Sequence, residues 1–273
     1  MNYVNKIKQK YHYSIILLKR LVITDFKIRY KGSALGYIWT LLRPLALFSI
    51  LYIVFVRFLR IGGDIPHFAV YLLLGIILWN YFVEVTNNGL SAIVGKCDLL
   101  RKLAFPRYIV VLSGSFSALI NLFINLLVLA VFMFINGVPF SVQALWVLPL
   151  IIELFIFALS IAFILSALYV RFRDINYIWE LILQAGFYAT PILYPIATVS
   201  AISPIAAKII MLSPLAQIIQ DARNFIISSD TITIANIYGS QYIRLVPIAI
   251  LILLASISIT YFKRKSPGFA ENI

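Results

Sequence analysis

The chain has 273 residues, of which 62% are hydrophobic and only 12% charged, and its mean hydropathy is +0.98. Soluble domains are about half apolar and about a quarter charged, so a water-soluble globular fold is excluded and lipid must solvate the apolar faces. A formal net charge of +13 would suit nucleic acid, but the basic residues gather at the ends of apolar runs, which points to orientation in a membrane and to no nucleic-acid partner.

Residues 1–36 form a polar, basic cytoplasmic interface and gate segment. Tyr11, Ile15, Ile16, Leu18, Leu21, Val22 and Phe26 recur at helical spacing among Lys8, Lys10, Lys19, Arg20, Lys27 and Arg29. That is the pattern of an amphipathic helix lying in the membrane interface. The opening MNYVNKIKQKYHYS has no apolar stretch followed by a small-residue cleavage site, so no removed signal peptide is expected. Arg29 to Pro44, RYKGSALGYIWTLLRP, then leads into the first apolar run. It uses Gly32 and Gly36, the interfacial aromatics Tyr37 and Trp39, and an Arg43-Pro44 pair.

Residues 37–262 contain six runs long enough to span, at about 37–57, 68–92, 109–135, 144–170, 176–196 and 243–262, since about 20 helical residues cross the hydrocarbon. Residues 263–273 are a cytoplasmic tail. Between the fifth and sixth runs, Pro204 and Pro214, each preceded by Ser, break an apolar stretch. Proline disfavours helix in the residue before it, so two short re-entrant helices in the outer leaflet fit better than a seventh span. A seventh span would also move Lys263, Arg264 and Lys265 outside. With six spans, eighteen of the 23 Lys and Arg lie on one side, and only Arg57, Arg60, Lys208, Arg223 and Arg244 on the other. This asymmetry places both termini in the cytoplasm. The expected fold is therefore an all-α integral membrane protein with six transmembrane helices, an N-terminal interface helix and two re-entrant helices.

Enzyme chemistry has little support. Cys97 is the single cysteine, which excludes an intrachain disulfide, and His12 and His67 are isolated. The stretch Gly89 to Cys97 imitates a phosphate loop. It has five residues between its glycines where four are needed, and Cys where Ser or Thr should follow Lys96. The chain is thus not expected to hydrolyse ATP. Ionisable groups inside spans are functional candidates by default: Arg43, Glu84, Glu153 and Glu180. Arg43 and Glu84 fall at comparable depth, which predicts an ion pair or a shared polar conduit. Glu180 is expected in the first turn of the fifth span, where the helix dipole favours an acid. Aromatics at span ends (Tyr37, Trp39, Trp79, Tyr81, Phe82, Trp146, Tyr177, Trp179) suit an interfacial belt, and some aromatics would suit a path on which sugar rings slide. The cytoplasmic loop 95–108, GKCDLLRKLAFPRY, reads as a short amphipathic helix with Asp98 as N-cap. Its apolar residues need cover by lipid or by a partner protein.

Four stretches resemble motifs of ABC-2 exporter permeases, in the branch that exports polysaccharides and polyol phosphates. They are RYKGSALGYIWTLLRP itself, Leu99-Leu100-Arg101-Lys102 with Phe105-Pro106-Arg107, Tyr169 to Asp174 (YVRFRD), and Thr190 to Pro195 (TPILYP). Cys97-Asp98 departs mildly from the small polar pair usual before the leucines. The resemblance implies a homodimer with a channel between protomers and two copies of an ABC ATPase, which would hold ATP and magnesium while this chain binds no cofactor. It implies coupling to that ATPase through Asp98, Leu99, Leu100, Arg101, Lys102, Leu103, Phe105 and Arg107, with Arg171, Arg173 and Asp174 as a second contact. It implies a substrate path and gate at Arg29, Lys31, Tyr37, Trp39, Arg43, Glu84, Tyr188 and Tyr194. The cargo would be an undecaprenyl-diphosphate-linked glycan, such as O-antigen or capsule, or a teichoic acid, moved across the cytoplasmic membrane of a bacterium. Three other readings stand beside this one. An ABC-2 exporter of a drug or simple lipid would share the motifs. A secondary transporter would need an internal repeat. A membrane enzyme acting on lipid-linked sugars would need clustered acids.

Overall fold

The structure is a computed structural model that describes residues 3–30, 36–58, 65–102, 105–139 and 141–269. Lys31 and Leu103 lie outside the described residues, as do the side chains of Arg29, Tyr37, Arg101 and Lys102. Every regular element among the described residues is helical. In order they are α1 (Tyr3–Tyr30), α2 (Trp39–Tyr52), α3 (Phe68–Gly95), α4 (Cys97–Lys102), α5 (Tyr108–Ile135), α6 (Val147–Arg171), α7 (Ile175–Ala189), α8 (Ile196–Ile202), α9 (Pro204–Met211), α10 (Pro214–Ile226), α11 (Ile234–Tyr238) and α12 (Leu245–Lys265).

Among the described residues, four helical stretches are long and apolar enough to cross a membrane: Phe68–Gly95, Tyr108–Ile135, Val142–Arg171 and Gln241–Gly268. The pair α9 and α10, bent by 95° at its break, makes a fifth if counted as one broken span. The first and fifth of the six expected runs are shorter. α2 has 14 residues and continues through a π-helical turn, Ile53–Phe58. α7 has 15 residues, about 22 Å of rise, and ends at Ala189. Thr190 is extended there because Pro191 follows it.

α3 is the central post. Every residue from Val70 to Trp79 is buried, because α5 and α6 pack along it, with α1 laid on α5 and α12 on α6. Small residues permit the close approach: a Cβ on Gly89 would sit 2.3 Å from the Ala162 Cβ. This corrects the interfacial-belt expectation for four aromatics. Trp79, Tyr81, Phe82 and Trp179 are buried in the bundle, because α3 is enclosed along its length and Trp179 lies on the inward face of α7. Phe82 stacks on Phe157 with centroids 5.6 Å apart, and Trp179 Nε1 donates to Thr86 Oγ1. Trp39, Trp146 and Tyr177 stay exposed. On α5, Phe116, Ile120, Phe123, Leu127, Val131 and Phe134 recur every three or four residues as an exposed apolar stripe, the face a lipid solvent requires.

α1 is tied to the bundle by a polar contact. Lys96 Nζ, just past α3, lies 2.5 Å from Asp25 Oδ2 of α1, and Ser113 Oγ of α5 donates to the same oxygen at 3.1 Å. The stretch that imitates a phosphate loop is accounted for here: Gly89 seats α6 and Lys96 holds α1. Helices α8 to α11 gather around a second small core of Ile196, Ala207, Met211, Ala216 and Ile234. Pro204 and Pro214 open α9 and α10, where a missing N–H costs nothing, and Ser203 caps α9 by accepting from Ala206 N at 3.3 Å.

Candidate functional site

A cavity of about 400 Å³ lies between α2, α3 and α5. Its walls follow from helical spacing. Trp39, Thr40, Arg43 and Pro44 share one face of α2. Asn80, Glu84, Asn87 and Asn88 share one face of α3, and Asn121 and Asn125 lie four apart on α5. The two polar stripes are cross-linked: Asn121 Nδ2 donates to Glu84 Oε1 at 2.7 Å, and Asn88 Nδ2 donates to the Gly114 carbonyl at 3.3 Å. Arg43 and Glu84 therefore open on one polar space. Arg43 is exposed and forms no ion pair among the described residues. Trp39 is half exposed at the α2 wall. The asparagines carry no charge to mark them, although spacings of seven and eight on α3 and of four on α5 are a readable signal.

The loop after α3 carries the expected coupling residues. α4 begins at Cys97, so Asp98 falls inside its first turn rather than at the N-cap, where the helix dipole accepts an acid. Leu99 and Leu100 are half-buried. Leu100, Phe105 and Arg107 border a second cavity of about 760 Å³ with Phe163, Phe262 and Lys263. The Arg107 guanidinium donates to the Ser266 carbonyl, which ties this loop to the end of α12. In the 169–174 motif, Arg171 lies over the Phe172 ring and Arg173 over the Tyr169 ring, both 5.1 Å from the centroid. These contacts hold both cations at the exposed end of α6. Asp174 is the exposed N-cap residue of α7. Glu180, expected in the first turn of its helix, lies in the second and is exposed, because α7 begins at Ile175.

The opposite end is organised by a buried arginine. Arg223 of α10 is fully buried. Its Nε donates to the Tyr71 carbonyl at 3.1 Å, and its two terminal nitrogens donate to the carbonyls of Pro191 and Ile192 at 2.6 and 2.7 Å. The guanidinium also sits 3.5 Å from the Tyr71 ring centroid. The Pro191 and Ile192 carbonyls belong to the non-helical TPILYP stretch, whose backbone groups need partners when they lie away from water. Gly75 leaves the room: a Cβ there would meet an Arg223 terminal nitrogen at 2.4 Å. Tyr194 completes the clamp, its hydroxyl lying 2.9 Å from the Tyr188 carbonyl and 3.1 Å from that of Ala189. Of the two aromatics assigned to a path here, Tyr194 is occupied in this clamp and the Tyr188 ring is exposed. Glu153 faces Gln217 and Asp221. Gln217 Nε2 donates to Asp221 Oδ2 at 2.8 Å, and Arg244 Nε lies 4.0 Å from that oxygen.

The ABC-2 type transporter family profile matches residues 16–227. An O-antigen export system permease protein RfbA from Klebsiella pneumoniae is 30% identical over 268 residues, 97% of this chain and 98% of that protein. A second permease of that name from the same organism is 34% identical over 69% of this chain and 73% of its own length. One from Myxococcus xanthus is 30% identical over 72% and 74%. The chain belongs to the ABC-2 type transporter family.

Proposed function

We propose that this chain is the channel-forming permease subunit of an ATP-driven exporter that moves a lipid-linked polysaccharide across the cytoplasmic membrane of a bacterium. The observation that carries the reading is end-to-end similarity to an O-antigen export permease, at 30% identity over 97% of the chain. In this reading the chain works as a homodimer with two ABC ATPase subunits, which hold ATP and magnesium, and it has no catalytic site of its own. α2 and α7, extended by their flanking turns, complete six spans. α9 and α10 dip into the outer leaflet and return, and both termini are cytoplasmic. α4 and the arginines of the 169–174 motif meet the ATPase. A drug or simple-lipid exporter fits less well, because an apolar cargo would leave the amides of the α2–α3–α5 cavity unpaired.

The test is complementation. A strain lacking its O-antigen permease receives this chain together with an ABC ATPase subunit from the same source, and surface polysaccharide is measured. Restored polymer supports the reading, whereas an expressed, membrane-inserted chain that restores none defeats it. Leu100→Glu is expected to reduce ATPase co-purification at least tenfold, because it puts a charge on an apolar contact. Full retention of the ATPase would remove α4 from the coupling role.

A further inference from the structure

The α2–α3–α5 cavity lies within one protomer, and its chemistry is narrower than a general polar conduit. Five asparagines open on it, whereas among the described residues Arg43 and Glu84 are its only charged groups. A carboxamide both donates and accepts, and so does a sugar hydroxyl. Carboxylates or lysines would instead select one charge. Two wall groups are buried without a hydrogen-bond partner among the described residues, Asn121 Oδ1 and the Tyr81 hydroxyl. A buried polar atom in that condition normally has a ligand or an ordered water to satisfy it. Asn121 is nine-tenths buried and more, and its Nδ2 is already committed to Glu84, so its free oxygen is an acceptor held in place. The Trp39 indole supplies an aromatic wall, and Arg43, exposed on the same α2 face, supplies one cation. About 400 Å³ is within the range that encloses a small ligand.

We propose that this cavity binds one saccharide unit within each protomer, with the amides on its hydroxyls, and Arg43 on an anionic group attached to it. This rests on the polysaccharide-export reading and assigns that reading an intake site. Apolar ligands would leave the asparagines unsatisfied, and a plain anion would use Arg43 and none of the amides.

The test uses the purified full-length chain in lipid nanodiscs. Trp39 fluorescence is followed against a Trp39→Phe control during titration with mannose, mannose 1-phosphate and glycerol 3-phosphate. The expected result is saturable quenching by mannose, tighter with mannose 1-phosphate, and absent in Trp39→Phe. Asn125→Leu and Asn80→Leu should weaken mannose at least tenfold, with the milder Asn125→Ser intermediate and thermal unfolding unchanged as the check on folding. Arg43→Gln should bring mannose 1-phosphate to the level of mannose and leave mannose itself unmoved. Glycerol 3-phosphate binding as tightly as mannose 1-phosphate would make this an anion site and overturn the proposal. So would mannose binding that survives both leucine variants, or no saturable binding at all. A chain that complements export yet binds no sugar loses this site and keeps the export function. A chain that binds mannose as described yet restores no polymer does the reverse.

Discussion

At the α2–α3–α5 cavity the polar side chains line open space, with Asn88 and Asn125 each giving one N–H to a backbone carbonyl. Asn121, Asn125 and Asn80 line a chamber, and even the Glu84–Asn121 bond leaves the Asn121 oxygen free. At the α10 end, polar side chains face backbone. Arg223 spends its guanidinium on three carbonyls and one ring, and no space remains around it. Polar residues in an apolar bundle thus serve two ends: they furnish a chamber, or they satisfy chain that has stopped being helical. The two kinds respond differently to removal, because a group facing a chamber leaves little behind, whereas a group serving backbone leaves buried carbonyls without donors.

That contrast breaks most sharply at Arg223. Arg223→Met is expected to cost about 3–5 kcal/mol, or to prevent accumulation of the chain. Chemical unfolding of the purified protein measures it, and a variant as stable as the parent would erase the distinction between the two regions. Arg223→Lys should rescue little, since an ammonium cannot reproduce the planar fork. Next comes Gly89→Ala, expected to lose about 1–3 kcal/mol by overpacking against Ala162, read from the thermal midpoint. Asp25→Asn should cost about 0.5–1 kcal/mol and show less salt dependence than the parent, because it removes a partly exposed pair with Lys96. The smallest effect on stability belongs to the chamber: Asn125→Leu should change it by less than about 0.5 kcal/mol, a surface-like value, while sugar binding falls. A large loss of stability there would mean that the asparagines hold the helices together.

The long apolar helices were legible because their hydropathy is nearly continuous, and the break near residue 204 because Ser-Pro pairs announce it. Arg43 and Glu84 were legible as a pair because charge in an apolar run stands out. Asn80, Asn87, Asn88, Asn121 and Asn125 are hard to see in the sequence because neutral amides carry no charge signal, although helical spacing sets them on facing stripes. The role of Arg223 is not legible in the sequence, because its partners are backbone carbonyls more than 30 positions away, and no local pattern records those. Trp79, Tyr81 and Phe82 suit a membrane interface by type. Only the packing of α3 between α5 and α6 reveals that they are interior.

Gly75 and Gly89 place α3 under two close contacts, one with Arg223 and one with Ala162, separated by 14 residues or about 21 Å. A rod gripped near both ends cannot tilt without breaking a grip. In the proposed export function, widening of an intake would therefore fall to the neighbours that touch α3 lightly, α2 and α7, the latter with only Trp179 and Leu183 buried. Covalent stapling offers a mechanical reading of this: a cross-link between α2 and α3 at Thr40 and Asn87, which line the same cavity, should stall polymer output.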